Sequence, residues 1–203
     1  PKGGCPHTIT FPAINTSRLR ATLTHAEGAR SGLTEFEAWG PGHRPYVSAA
    51  PPAGNLAFNR EGKGFPKITA SHSDRYGGIA VRAIDGKIIF EATPANRWTS
   101  YGSSNLKDTL ELEFENPSKI GRAVLYIYDD RGGVQPPSDY VIEGWIDGKW
   151  KALSNQTKSP PEPTGNMANV LTFDPVVLTK LRILFTHKGK ARSGLTELEI
   201  WKE

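Results

Sequence analysis

The sequence predicts an all-β protein, an antiparallel β-sandwich of the jelly-roll type, on the basis of three observations. First, short runs alternate between apolar and polar residues, as in 109–114, where every second residue is apolar. Second, no apolar pattern with the helical period of 3.6 residues persists beyond two turns. Third, the 21 glycines and 16 prolines are enough to supply many turns between short strands.

Six strands are predicted in the second two-thirds of the chain. They lie at 109–114, 120–128, 139–146, 169–173, 180–186 and 195–201. Segment 139–146 ends at Asp147 and Gly148, a dipeptide that favours a tight hairpin turn. Short strands at this regular spacing, separated by turn residues, are typical of an antiparallel sandwich.

Composition and charge limit the possible functions. The chain has 203 residues and a net charge of +4, and its basic residues are scattered among acids instead of clustering with aromatics as on a nucleic-acid surface. We therefore expect no nucleic-acid partner, whereas an anionic polysaccharide suits the modest positive balance. No apolar stretch approaches the roughly 20 residues of a membrane span. No signal peptide is visible, and the single cysteine, Cys5, cannot form a disulfide within the chain.

The chain contains an internal repeat. Residues 10–39 align without a gap with residues 172–201, at an offset of 162, and 15 of the 30 positions are identical. An offset of this length indicates a duplicated domain and not a short solenoid unit. We interpret 1–40 as the tail strands of a preceding copy, whose front is absent here, so that the chain looks like a piece of a larger protein.

The repeat and the proline-rich sequence after it predict three parts. They are a tail at 1–40, a Pro/Gly-rich linker at 41–58, and a complete domain at 59–203. Two strands alone bury little surface and expose unpaired edges. We therefore expect segment 8–38 to form a hairpin packed on a sheet, paired with the following domain, another chain or a missing domain.

Seven motifs occur in an order that resembles the coagulation factor V/VIII C-type, or discoidin, domain. They are ITASHS (68–73), AIDG (83–86), NRWTS (96–100), TLELEFENP (109–117), DGKW (147–150), LR (181–182) and LTEL (195–198). The carbohydrate-binding members of this family are the family 32 carbohydrate-binding modules, which have a galactose-binding-like fold. The resemblance implies a lectin-like sandwich that binds its ligand through loops.

The resemblance also implies a structural Ca²⁺ site. Family members often hold the ion between the loop after Asp-Gly and the last strand, which gives Asp85, Asn96 and Glu197 as metal ligands. The residues leave an alternative open, in which Asp85 caps a turn before Gly86 and Glu197 is a solvated strand residue. Lys87 stands where the family usually has a second acid, which counts against a metal.

Carbohydrate sites combine aromatic faces with planar polar groups on loops of a rigid scaffold. By resemblance, loop 129–137 holds the family's arginine at Arg131. The predicted carbohydrate-binding residues are Arg131, Tyr76, Tyr101, Arg75 and Asp130. As alternatives, the Asp-Asp-Arg cluster is a salt-bridged turn cap and a loop tyrosine covers the edge of the core. The family often has histidine where this chain has Thr99, so a preference for galactose is not implied.

These features predict a secreted, non-catalytic carbohydrate-binding module of a larger polysaccharide-active protein. The chain has no Gly-x-Ser-x-Gly, His-Glu-x-x-His or phosphate-binding glycine loop, so we expect no catalysis by the chain itself. A phospholipid-surface module is the alternative, although the predicted loop tips carry no pairs of large apolar residues. Protein adhesion is a further alternative that the sequence leaves open.

Overall fold

The structure, a computed structural model, describes residues 7–33, 36, 38, 53–76 and 78–203. The chain divides into two compact units, Pro1–Ala49 and Ala50–Glu203. In the first unit, residues 7–33 contain no strand and every side chain is exposed. The hairpin expected over 8–38 is therefore not formed in the part of that unit that the structure describes, because two strands need a third surface to pair and pack against.

The described residues of the second unit form eight antiparallel strands and one short 3₁₀ turn. The strands are β1 (Lys67–Ala70), β2 (Trp98–Thr99), β3 (Lys107–Ile127), β4 (Asp139–Ile146), β5 (Lys149–Ala152), β6 (Thr157–Ser159), β7 (Met167–Thr186) and β8 (Gly194–Lys202), and the turn is Ala80–Ala83. Their order is β2-β8-β3-β7-β4-β5, with β1 on β3 and β6 on β7. The predicted all-β antiparallel fold is confirmed.

Two long strands fold the sheet into a sandwich. β3 and β7 pair along their whole length, with a register shift between Glu113 and Ser118. Before the shift β3 pairs with β1, and after it β3 pairs with β8. The sequence predicts two separate strands in each of these regions, because the polar residues at the shift interrupt the apolar pattern. The backbone instead continues through the bend, and both ends of β3 lie at the same end of the sandwich.

The core lies between the two layers. Leu110 and Leu112 come from the front half of β3, and Ala123 and Leu125 come from the back half. Trp98 is fully buried, with its ring centroid 5.4 Å from that of Phe185. Full burial of a large apolar side chain contributes about 1.5–3 kcal/mol. This packing gives the loops at the ends of the strands a rigid support.

The folded domain begins before residue 59. The backbone N–H of Leu56 donates to the carbonyl of Ile200 (2.7 Å), and Ala57 is fully buried in the core. Residues 55–58, which the sequence assigns to the linker, therefore belong to the domain, because the last strand offers them hydrogen bonds and apolar cover. Residues 41–52 of the predicted linker lie outside the described residues.

Candidate functional site: the loop end and a pair of buried carboxylates

Three loops meet at one end of the sandwich, here called the loop end. The first loop (71–76) follows β1, the second loop (100–105) follows β2, and the third loop (129–137) follows β3. The first loop is tied to β2 where Asp74 N–H donates to the Thr99 carbonyl (2.9 Å). Thr99 itself is buried, so the position where the family often has histidine does not face a ligand here.

The second and third loops pack together through Tyr101. A Cβ atom built on Gly133 would lie 2.4 Å from Cε2 of Tyr101, so the phenol ring lies directly against the glycine backbone. Tyr101 is still 47% exposed. One part of the ring is therefore fixed by the third loop while the rest is available to a ligand, as a stacking platform requires.

The third loop is shaped by two aspartates that act as turn caps. Asp129 Oδ1 accepts from the Arg131 N–H (2.7 Å), and Asp130 Oδ1 accepts from the N–H groups of Gly132 (2.7 Å) and Val134 (2.9 Å). These bonds hold Arg131 at a φ of 59°. Among the described residues, its guanidinium makes no hydrogen bond or ion pair. The Asp-Asp-Arg cluster is therefore a turn cap, which was the alternative interpretation of these residues, but it contains no salt bridge.

Arg75 and Tyr76 form a separate exposed unit on the first loop. The Arg75 guanidinium lies 4.9 Å from the Tyr76 ring centroid and donates to its hydroxyl (2.7 Å). Tyr76 is 72% exposed, and its N–H is capped by Asp74 Oδ1 (2.8 Å). Among the described residues, no hydrogen bond or ring contact joins this unit to Tyr101 or the third loop. The structure packs Tyr101 against Gly133 of the loop that carries Asp130 and Arg131, and it leaves Arg75 and Tyr76 on a separate loop.

Two residues of the loop end were not among the carbohydrate-binding residues predicted from the sequence. His72 Nε2 lies 3.2 Å from the Tyr101 carbonyl. Arg192 donates from Nε to the Ser103 carbonyl (2.6 Å) and from its backbone N–H to the Gly133 carbonyl (2.9 Å). Arg192 thus connects the second and third loops. Its place in the repeated run Ala-Arg-Ser-Gly-Leu-Thr-Glu was the signal that could have identified it.

A buried aspartate beneath the loops joins three segments. Asp108 accepts from Ser71 Oγ (2.7 Å) and Asn105 Nδ2 (2.8 Å), and it contacts His187 Nε2 (2.9 Å). Burial opposes ionisation of Asp108, but the hydrogen bonds from His187, Asn105 and Ser71 outweigh it and hold the pKa of the carboxyl well below its ordinary value. The aspartate is therefore a charged anchor that fixes the first and second loops to the end of β7.

In the same cluster a serine contacts the histidine, and the histidine in turn contacts the aspartate. His187 Nδ1 lies 3.0 Å from Ser193 Oγ, while its Nε2 faces Asp108. A hydrolytic triad needs its nucleophile at a surface that a substrate can reach. Ser193 is 1% exposed and Asp108 is fully buried, so this arrangement is suited to holding loops in place and not to covalent catalysis.

The three predicted metal ligands come together in the structure. Asp85 Oδ1 accepts from Asn96 Nδ2 and from the Lys87 N–H (3.1 Å each), and both carboxylate oxygens of Glu197 accept from the Gly86 N–H (3.1 Å each). Asp85, Asn96 and Glu197 are all buried. Asp85 does cap a turn, as the alternative interpretation expects, but Glu197 is not a solvated strand residue.

Burial outweighs the positive charges near these carboxylates, since Lys87 and Arg82 attract Asp85 but do not offset its desolvation. Burial, followed by repulsion from Asp85, raises the pKa of Glu197 to about 9, and burial also raises the pKa of Asp85. Neither acid forms an ion pair among the described residues, and Lys87 is exposed. Two buried acids with an adjacent amide fit a hard cation that prefers oxygen ligands.

The donor set is nevertheless small. In the described part of the chain, no group of three or more histidine, cysteine, aspartate or glutamate side chains is arranged to hold a metal. A Ca²⁺ ion takes about six to eight oxygens, so Asp85, Glu197 and the Asn96 amide oxygen would have to be joined by backbone carbonyls or water. The site would then fasten the loop after Ala83 to β8.

The described strands and the loops that join them form a domain of the jelly-roll type. The chain belongs to the F5/8 type C domain family, whose model matches residues 67–198, more than half of the chain. This confirms the resemblance indicated by the seven motifs. Across the described segments, no helix is long and apolar enough to cross a membrane.

Several solved structures are similar to this chain. One, from work on the β-galactosidase of Streptococcus pneumoniae, has a TM-score of 0.68 and 21% identity, and the match covers 73% of this chain and 98% of that chain. Chitosan-binding module 2 of a Paenibacillus sp. IK-5 chitosanase/glucanase, in complex with chitotriose, has a TM-score of 0.54 and 22% identity, covering 72% and 99%. The family 32 module of C. perfringens NanJ, in complex with galactose, has a TM-score of 0.52 and 20% identity, covering 67% and 93%. At this identity, the likeness shows the fold.

Proposed function

We propose that the chain is a non-catalytic carbohydrate-binding module of a larger secreted polysaccharide-active protein, and that it binds glycan at the loop end. The observation that carries this proposal is the packing of Tyr101 on Gly133. Gly133 lies two positions after Arg131 in the sequence, and among the described residues the guanidinium of Arg131 is unpaired. An exposed aromatic ring and a free planar cation on rigid loops are the groups that stack on a sugar ring and bind paired hydroxyls.

The similar structures support the same conclusion from another direction. The named modules bind galactose and chitotriose, and their ligands are pyranose sugars. The proposal assigns the direct contacts to Arg131 and Tyr101, and gives the Arg75–Tyr76 unit the role of a neighbouring subsite. Asp130 contributes by holding the turn that presents Arg131.

The affinity of such a site is modest. One or two aromatic platforms with one arginine give a Kd of about 10 µM to 1 mM, which corresponds to about −7 to −4 kcal/mol. Linked copies of a module raise the overall affinity by making the second binding event intramolecular. A larger protein with repeated modules would therefore hold a polymer far more tightly than one module does.

The proposal includes Ca²⁺ as a structural ion held by Asp85, Glu197 and the Asn96 amide oxygen. When bound, it would supply a positive charge in direct contact with the two buried carboxylates, which form no ion pair among the described residues, and would stabilise the fold. The ion takes no part in sugar recognition, because the three residues belong to the loop after Ala83 and to β8.

A binding experiment with matched variants tests the proposal. A glycan array identifies the ligand, and calorimetry then compares Arg131→Ala and Tyr101→Ala with Arg122→Ala, a control on β3 whose guanidinium lies over Trp201. We expect each loop variant to weaken binding at least about tenfold, or about 1.4 kcal/mol, and the control to leave it unchanged.

Other outcomes favour the alternatives. Unchanged affinity in both Arg131→Ala and Tyr101→Ala would place the site elsewhere. Sedimentation with anionic phospholipid vesicles, together with an array that shows no glycan, would instead support a membrane-surface module. Tyr76→Ala measures the contribution of the first loop separately, because no hydrogen bond or ring contact joins the Arg75–Tyr76 unit to the third loop in the part of the chain that the structure describes.

A further inference from the structure

Two tryptophans lie side by side on the outer face of the sandwich, in the edge hairpin formed by β4 and β5. Trp145 and Trp150 are register partners, and the side chains of cross-strand partners project from the same side of a sheet. Tyr140 and Ile142 project from the opposite side of β4 and are fully buried in the core. The two indole rings therefore face away from the core.

The packing of this pair leaves one of the two rings available. The ring centroids are 5.1 Å apart with an interplanar angle of 70°, which is the edge-to-face arrangement that aromatic pairs favour. The guanidinium carbon of Arg182 lies over the Trp150 ring, 4.7 Å from its centroid, whereas Trp145 is 41% exposed. Trp150 thus supports Trp145, whose ring is positioned in advance, so that binding a ligand requires little further ordering.

Arg182 also places hydrogen-bonding groups beside the tryptophans. In the sheet register it lies between Glu111 and Glu143, and its Nε donates to Glu143 Oε2 (2.5 Å). Its Nη1 lies 4.0 Å from Glu111 Oε1, which is too far for a hydrogen bond. A guanidinium has five N–H donors, and in the part of the chain that the structure describes only one of them donates. The other N–H groups of Arg182 and the Glu111 carboxylate are therefore available to hydroxyl groups.

The charges on this face indicate an uncharged ligand. Two cations of β7 lie on it, and each is matched by an acid, because Arg182 pairs with Glu143 and Lys180 lies 3.4 Å from Glu113 Oε2. These pairs leave no positive charge from β7 to attract an anionic polysaccharide, and the unpaired Glu111 would repel one. Planar polar groups beside an aromatic ring instead suit the hydroxyls and C–H groups of a neutral sugar.

We propose that this surface, here called the tryptophan face (Trp145, Trp150, Arg182, Glu111 and Glu143), is a second glycan site that takes a pyranose ring within a neutral polysaccharide chain. Trp145 stacks against the C–H groups of the ring, and Arg182 and Glu111 bind its hydroxyls. The class of ligand rests on the function proposed above, but the position of the site does not, since these residues belong to strands and not to loops.

The tryptophan face lies away from the loop end. Trp145 comes six residues after Asp139, where β4 begins just beyond the third loop. At about 3.3 Å per residue, this places Trp145 about 20 Å along the strand. A single sugar cannot reach both sites, whereas a longer chain that occupies both makes the second contact intramolecular and binds more tightly. The second site therefore favours long chains over short ones.

Titration of the full-length chain with short and long probes of the same chemistry tests the proposal. The pairs of probes are galactose with galactomannan, and chitotriose with chitohexaose. We expect Trp145→Thr to weaken binding of the long probes about tenfold or more, and to leave binding of the short probes at the loop end unchanged. Trp145→Phe keeps an aromatic ring and should retain most of the affinity for the long probes.

A matched control separates this face from the loss of any tryptophan. Trp201 on β8 also lies under an arginine, with Arg122 at 5.4 Å from its ring centroid, and we expect Trp201→Thr to leave the affinities unchanged. Equal losses in Trp201→Thr and Trp145→Thr would overturn the proposal. A Trp145→Thr variant with a lower Tm but unchanged affinity for the long probes would also overturn it, because the pair would then only stabilise the hairpin.

Tyr101→Ala distinguishes failure of this proposal from failure of the loop-end site. Loss of short-probe binding in Tyr101→Ala, with Trp145→Thr unaffected, would overturn the tryptophan face and support the loop end. Loss of long-probe binding in Trp145→Thr, with Tyr101→Ala unaffected, would support the tryptophan face and contradict the loop end. A wild-type chain that binds the long probes no more tightly than the short ones would overturn the second site.

Discussion

His187 Nε2 lies 2.9 Å from Asp108 Oδ2, and both side chains are buried beneath the loops of the candidate sugar site. Through this contact the end of β7 is connected to the start of β3, and Ser71 and Asn105 add the first and second loops. The loop end is therefore supported by one charged network, and its stability depends on that network staying intact.

Removing the charged anchor should destabilise the domain. Asp108→Ala leaves Ser71, Asn105 and His187 without their common acceptor, and breaking a buried pair in this way costs about 3 kcal/mol or more. Asp108→Asn keeps the shape and one acceptor oxygen, so we expect a smaller loss. Urea unfolding measures both, with Asp174→Ala as the control at an exposed acid. Equal stability of the Asp108→Ala variant and the wild type would contradict the role of the anchor.

The contact between Tyr101 and Gly133 can be broken without touching the core. Gly133→Ala places a Cβ atom 2.4 Å from the ring, whereas Gly132→Ala brings its Cβ only to 3.4 Å from the nearest atom, Oδ1 of Asp130. We expect Gly133→Ala to displace Tyr101 and weaken glycan binding about tenfold, or about 1.4 kcal/mol, while Gly132→Ala has little effect. Calorimetry measures the affinities, and equal affinities of both variants would show that the position of the ring does not matter.

The two roles open to Asp130 can be separated. If it acts as a turn cap, Asp130→Asn retains an acceptor for the N–H groups of Gly132 and Val134, and affinity is largely kept. Asp130→Ala loses the cap, and by analogy with helix caps this costs about 1 kcal/mol of stability. It should also weaken binding through Arg131. If Asp130→Asn lowers the affinity as much as Asp130→Ala, the carboxylate contacts the sugar directly.

The buried carboxylates predict how stability depends on pH. Because the pKa of Glu197 rises from 4.5 to about 9 on folding, the folded state binds a proton more tightly than the unfolded chain. Without a cation, stability conferred by this group is present at low pH and is lost as the pH rises toward 9. Asp85 acts in the same direction. The lowered pKa of Asp108 acts oppositely, since its contribution is lost as the pH falls below 3.8.

Calcium should therefore stabilise the domain more in alkaline than in acidic solution. Ca²⁺ at about 100 times its Kd adds about 2.7 kcal/mol, and we expect the rise in Tm over an EDTA-treated sample to be larger at about pH 8.5 than at about pH 5.5. Glu197→Gln should abolish the calcium effect and raise the Tm of the metal-free protein at the higher pH. A Tm that does not respond to Ca²⁺ at either pH would contradict the metal site.

Much of the fold was open to prediction because its signals are local. The alternation in 109–114 fixes which side of a strand faces the core, and turn residues such as Asp147 and Gly148 mark where strands reverse. The continuity of β3 through the bend could not be predicted, because Asn116 and Pro117 on their own indicate the end of a strand. Only pairing with β7, distant in sequence, keeps that backbone in one strand.

Less of the candidate site than of the fold could be predicted from the sequence. Asp85, Asn96 and Glu197 were found through their resemblance to a family pattern, and the structure brings them together. Arg192 was missed because its role comes from hydrogen bonds to the carbonyls of Gly133 and Ser103. The repeated run that contains it marks the residue but does not show which loops it joins. The capping role of Asp130 depends on which N–H groups the turn presents, and that is a property of folded geometry.

The central claim, that this chain binds glycan at its loop end, is tested most directly by NMR. A ¹⁵N-labelled full-length sample is titrated with galactose and with chitotriose, and the backbone amide shifts are mapped onto the structure. We predict that saturable shifts cluster in the second and third loops, around Tyr101 and Arg131, and extend to Arg192. Saturable shifts on the exposed faces of the sheets alone, with the loop end unaffected, would contradict the account.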